Sequence, residues 1–139
     1  MALEYPFVEH LGIERQLAES GSSALLLAPR AEHLNSFGVV HGGVLMTLLD
    51  VAMAAAARSL HSGSSVVTIE MKTSFLLPAR GPLSSAGQVI QRGATLCFAE
   101  ASIADAAGRV CARASGTFKY VRRQSAAARQ ATGAAAPQV

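Results

Sequence analysis

Tryptophan is absent from this 139-residue chain, cysteine occurs twice, and aromatic residues make up only 5% of it. Charge is also scarce, at 15% against 50% hydrophobic residues. Two isolated thiols, Cys97 and Cys111, are too few for a disulfide framework or a zinc cluster, and read as buried free cysteines in a reducing cytosol. No apolar run reaches the ~20 residues of a membrane span. The start, Met1-Ala-Leu-Glu-Tyr-Pro, has neither the basic n-region nor the apolar h-region of a secretory signal. A cytoplasmic protein without membrane partners is expected. The twelve basic residues are scattered and touch only at Arg122-Arg123, for a net charge of +3. That excludes a nucleic-acid stripe with interleaved aromatics, while a phosphorylated small ligand suits the balance. Dinucleotide fingerprints, P-loops, Gly-x-Ser-x-Gly elbows and metal-ligand spacings are all missing, so no cofactor or metal is expected.

What is present is concentrated between Asn35 and Ala57. The run Asn35-Ser-Phe-Gly-Val-Val-His41-Gly42-Gly43-Val-Leu-Met-Thr-Leu-Leu-Asp50 leads a glycine pair into a helix. From Val44 to Ala57 that helix is apolar except at Thr47 and Asp50. A helix apolar all round belongs inside a core. A carboxylate in such a place is desolvated, with its pKa pushed upward, and needs a reason to be there. Catalysis is one reason; a hydrogen bond to an interface or a helix end is another. Nine residues turn a helix by about 900° and advance it about 13.5 Å, so His41-Gly42 and Asp50 lie on opposite faces and well apart. One copy cannot bring both to one small reacting group. Two antiparallel copies can, which points to a homodimer with shared sites.

Around this helix the pattern predicts a short helix or turn over 5–11, strands at 13–19 and 22–29, and mixed helix and loop over 31–40. Four more extended segments follow at 65–77, 83–92, 94–104 and 109–121, parted by Gly- and Pro-bearing turns. Alternation in Val67-Thr-Ile-Glu-Met places Val67, Ile69 and Met71 on one face. One long buried helix with two strands before it and four after it implies α+β, an antiparallel sheet curled around a central helix. Residues 1–122 form a single domain on this reading. The alanine-rich tail 123–139 lacks bulky residues before its last position and is expected to be disordered.

The constellation Asn35-x5-His41-Gly42-Gly43-x3-Thr47-Leu48-x-Asp50-x-Ala52, with Pro78 and a strand-rich second half, resembles the PaaI-like branch of hotdog-fold acyl-CoA thioesterases. The resemblance spans about Leu11 to Val121. It implies that the Gly42 amide binds the thioester carbonyl, with Gly43 securing the turn, and that Asp50 of the partner subunit serves as nucleophile or as general base on water. It implies that Asn35 and His41 orient the thioester and the loop, and that Thr68 helps hold water or the acid. Met46 and Met53 are candidates for core or acyl-pocket lining. Arg80 and Arg92 are candidate coenzyme A phosphate contacts by their chemistry. The substrate implied is an aryl- or short- to medium-chain acyl-CoA, and the assembly a homodimer doubled into a homotetramer. A non-catalytic acyl-CoA-binding module and a thioesterase for carrier-bound acyl groups remain as alternatives. For His41 a purely structural capping role stands beside the orienting one, and for Asn35 a turn role does. His10, His33 and His61 show no ligand spacing and read as surface or capping residues.

Overall fold

The core forms because one helix has almost no polar side chains and five of the six strands offer it an apolar face. In a computed structural model describing residues 5–123, helix α2 (Gly42–Arg58) packs against a single sheet of six strands. The tail from residue 124 onward, expected to be disordered, lies outside the described residues. The strands are β1 (Glu14–Glu19), β2 (Ser22–Leu27), β3 (Ser64–Phe75), β4 (Leu83–Arg92), β5 (Leu96–Ala104) and β6 (Val110–Arg122). Their order across the sheet is β1-β2-β4-β5-β6-β3, with every neighbouring pair antiparallel. A short helix α1 (Pro6–Leu11) precedes them, and a 3-10 turn (Ala31–His33) precedes α2.

Leu45, Leu48, Leu49, Ala52 and Met53 of α2 meet Leu25, Leu27, Leu83, Cys97, Ile103, Cys111 and Phe118 from the sheet. Burying a side chain of this size contributes roughly 1.5–3 kcal/mol. Both cysteines are free and buried. Close approach is made possible at Gly87 on β4, where a Cβ would collide with the Ala52 carbonyl and the Ser23 hydroxyl. Ser23 Oγ donates to that same Ala52 carbonyl at 2.7 Å. At the far end of the helix, Tyr120 Oη donates to the Ala57 carbonyl at 2.8 Å. Helix and sheet are thereby tied at two levels.

Strand β3 departs from the simple alternation. Thr68 pairs with Phe118, but the next register pair is Glu70 with Thr117, leaving a bulge at Ile69. An extra residue reverses which side chains face inward beyond it. Val67, Ile69 and Met71 therefore do not share a face: Met71 and Val66 pack on the core, while Ile69 is 42% exposed. The same reversal leaves Thr68 pointing at α2. Strand β3 is also an edge of the sheet.

Candidate active site

The mouth of α2 is assembled from a loop that ties itself together. Asn35 Oδ1 accepts from the backbone N–H groups of Phe37 (2.9 Å) and Val39 (3.3 Å), closing the turn over Gly38, whose φ is +73°. His41 N donates to His33 O at 2.8 Å and Val40 N to Ala79 O at 3.0 Å, fixing the loop to its neighbours. His41 Nδ1 then accepts from Gly43 N at 2.8 Å, making His41 the N-cap. The capping role weighed for His41 and the turn role weighed for Asn35 are both present. With Gly43 satisfied, the Gly42 N–H is left without an acceptor among the described residues. A free amide at a helix N-terminus carries the positive end of the helix dipole.

That amide opens into a cleft of about 400 Å³ lined by Asn35, Val40, Gly42, Leu45, Phe75 and Leu77, among others. Phe75 stands over the glycine so closely that a Cβ on Gly42 would come within 3.3 Å of its ring. Sequence reasoning did not single out Phe75. Its place as the last residue of β3, returning antiparallel beside α2, was the available signal.

Asp50 lies two turns into the helix and does not line that cleft. It sits on the side of α2 that the sheet leaves open, with Gly43, Met46, Thr47 and Ala54. Thr68 Oγ1 donates to Asp50 Oδ1 at 2.6 Å. Burial raises the Asp50 pKa above the ordinary carboxylate value, while the Thr68 hydrogen bond and the Arg58 charge pull the other way. The acid is thus held by Thr68 and partly desolvated, on the half-exposed side of α2. Such a group can act on a reacting centre only if that centre comes to the open face.

The structure separates the remaining candidates. Met46 is 38% exposed beside Asp50, whereas Met53 is wholly buried against Gly116, so only Met46 is open to a ligand in this chain. Arg80 lies by the helix mouth, its Nη1 donating to Gly38 O at 3.4 Å. Arg92 sits at the opposite end, over the Tyr120 ring at 5.7 Å. Among the described residues, no three or more His, Cys, Asp or Glu side chains gather as a metal site, and no helix is long and apolar enough to cross a membrane.

Residues 37–112 match the family model of the thioesterase superfamily, which takes in the helix mouth, Asp50 and Thr68. A Saccharolobus solfataricus protein named "Putative esterase" is 34% identical over 113 residues, covering 81% of this chain and 75% of that one. Human acyl-coenzyme A thioesterase 13 is 28% identical, covering 59% of this chain and 61% of its own. Among solved structures, the E. coli PaaI protein from the phenylacetic acid degradation operon superposes with a TM-score of 0.78 at 25% identity, covering 83% of both chains.

Proposed function

Because the chain belongs to the thioesterase superfamily and is a thioester hydrolase, we propose that it hydrolyses an aryl- or short- to medium-chain acyl-CoA to the free acid and coenzyme A. The observation that carries this reading is the pairing of an unbonded Gly42 amide with a Thr68-held, half-buried Asp50 on the open side of the same helix. The amide suits the oxygen of a polarised thioester carbonyl, whose negative charge grows as the acyl carbon becomes tetrahedral. Asp50 then either takes a proton from the attacking water or itself bonds to the acyl carbon, in which case water afterwards opens the resulting anhydride to release the acid and restore the carboxylate. In both routes the carbon–sulfur bond breaks, and the sulfur leaves with the electron pair as coenzyme A thiolate.

Gly42 and Asp50 are eight residues apart, about 12 Å along the axis. One chain therefore does not complete the site, and a homodimer placing Asp50 of one subunit at the Gly42 mouth of the other does. Strand β3, an edge with Ile69 and Phe75 exposed, supports pairing with a second copy, because an unpaired apolar edge invites one. Asn35 and His41 shape the mouth, and Thr68 positions the acid. No residue of the described chain calls for a cofactor in this scheme.

Thiol release from phenylacetyl-, benzoyl-, butyryl- and octanoyl-CoA tests the proposal. The expected result is turnover of at least one thioester by the wild type and a loss of ~10²-fold or more in Asp50→Asn, the scale of removing a central acid–base group. Equal rates in the two proteins would remove Asp50 from the chemistry.

A further inference from the structure

We propose that Arg58 is a specificity-determining residue of this site, placed to receive a carboxylate at the far end of the acyl group, so that the substrate class is an ω-carboxyacyl thioester of coenzyme A. The proposal rests on the thioesterase reading of Asp50 and deepens it.

Asp50, Ala54 and Arg58 stand at i, i+4 and i+8, on successive turns of one side of α2. None of the three is fully buried, although Ala52, Met53, Ala55, Ala56 and Ala57 around them are. Strand β3 runs back along this side, with Thr68 opposite Asp50 and Val66 the next inward residue toward the Arg58 end. Ala54 presents only a methyl group between the acid and the guanidinium. Asp50, the Ala54 methyl group and Arg58 thus follow one another along a side of the helix that is not fully buried.

That cation has no ion-pair partner among the described residues. Arg58 is half-buried, with its guanidinium over the Tyr5 ring at 5.2 Å from the centroid. A ring face attracts the charge but accepts no conventional hydrogen bond from the guanidinium N–H groups. The ion pairs among the described residues are Arg30–Glu32 and Arg109–Asp105, and Arg58 is in neither. Burial is the largest influence and holds its pKa below the usual arginine value; Tyr5 opposes that shift, the like charges of Arg15 and Arg123 add to it, and Asp50 opposes it more weakly. Desolvating a cation among cations is costly, and an arriving carboxylate relieves it through two parallel N–H···O bonds.

Reach decides which anion. The Cα positions of Asp50 and Arg58 are about 12 Å apart along the helix, but helical side chains lean toward the N-terminus and bring the guanidinium back toward the acid. Its charge is felt at Asp50. A short dicarboxylic acyl chain spans such a gap. The phosphates of coenzyme A lie beyond the long pantetheine arm on the other side of the thioester.

The test compares glutaryl-CoA with pentanoyl-CoA, which has the same number of acyl carbons but ends in a methyl group. Wild type is expected to favour glutaryl-CoA by ~10-fold or more in kcat/KM. Arg58→Gln is expected to lose roughly 10²-fold on glutaryl-CoA and to stay within about threefold on pentanoyl-CoA, as for a site built to bond a polar group. Equal wild-type rates on the two substrates, or an equal loss on both in Arg58→Gln, overturn the proposal. Repeating the pair as pantetheine thioesters separates the sources of the anion: if the Arg58→Gln defect vanishes there, the anion is a coenzyme A phosphate and the proposal fails. Arg58→Met, which keeps the apolar stem and removes the charge, serves if the Gln variant does not fold, with the same selective loss on glutaryl-CoA expected. Calorimetric binding of the matching ketone analogues, with CH2 in place of sulfur, reads the same preference without turnover. A wild type inert toward every thioester would therefore sink the hydrolase reading while leaving Arg58 still decided by binding.

Discussion

At the scale of single residues, the chemistry turns on how Asp50 is held. Among the described residues its hydrogen-bond donor is the Thr68 hydroxyl at 2.6 Å, and its pKa lies above that of an ordinary aspartate because burial outweighs that bond. A base or nucleophile must be ionised, so kcat/KM is expected to rise with pH through a pKa above the usual carboxylate value and then level off. The Thr68 bond favours the charged form, so deleting it raises the pKa further. In Thr68→Val the acid limb of the profile is expected to move to higher pH, with the plateau lowered about tenfold, whereas Thr68→Ser keeps both. A pH–rate profile of the three proteins checks this; an unmoved limb in Thr68→Val would show that the bond does not tune the acid. The types of these residues are legible from the chain. The family resemblance already implied that Thr68 helps hold water or the acid; periodicity alone did not, because simple alternation with Val67, Ile69 and Met71 inward would turn Thr68 outward, and a bulge at Ile69 reverses it.

At the scale of elements, α2 is held to the sheet by contacts that leave no room for a side chain at Gly87. Alanine there would drive its Cβ into the Ala52 carbonyl, a backbone atom that cannot swing aside, and into Ser23 Oγ at 2.6 Å. Gly87→Ala is expected to cost roughly 2–4 kcal/mol, the scale of overpacking combined with a strained buried hydrogen bond. Urea unfolding checks it, and Gly93→Ala, in the turn after β4, gives a comparison in which the added Cβ makes only an ordinary contact. Element order followed from periodicity: the six strands fall within a few residues of their expected spans, and β4 lies at 83–92 as expected. The helix begins at Gly42, two residues before the apolar run, because the His41 ring caps the glycine pair. The run of apolar residues up to Ala57 suggested a helix enclosed on every side. One side stays open, since a single sheet covers only part of a helix's circumference.

At the scale of the whole molecule, the open side of α2 and the β3 edge lead to a prediction about assembly. Gly42 is the first residue of the helix, where proline is well tolerated, and the extended backbone of His41 suits a following proline. Gly42→Pro thus deletes the amide with little harm to the helix, the Phe75 ring edge yielding by a few tenths of an ångström to the new Cβ. Mixed with Asp50→Asn, each inactive alone, it is expected to restore about a quarter of wild-type activity, because random pairing makes half the dimers mixed, each with one intact site. Activity no higher than that of either parent, in a preparation shown by mass to contain mixed dimers, would place each site within one subunit. The sequence by itself determined the α+β class, the glycine pair at a helix mouth and the acid eight residues beyond it, since apolar periodicity and residue chemistry are local properties. Only the tertiary structure decided which side chains meet: Thr68 with Asp50, Phe75 over Gly42, Met53 in the core and Met46 outside it, and Arg58 at the end of the open stripe. Those pairings depend on a bulge, an edge position and the packing of β3 against α2, which join residues distant in the chain and leave no trace in its local spacing.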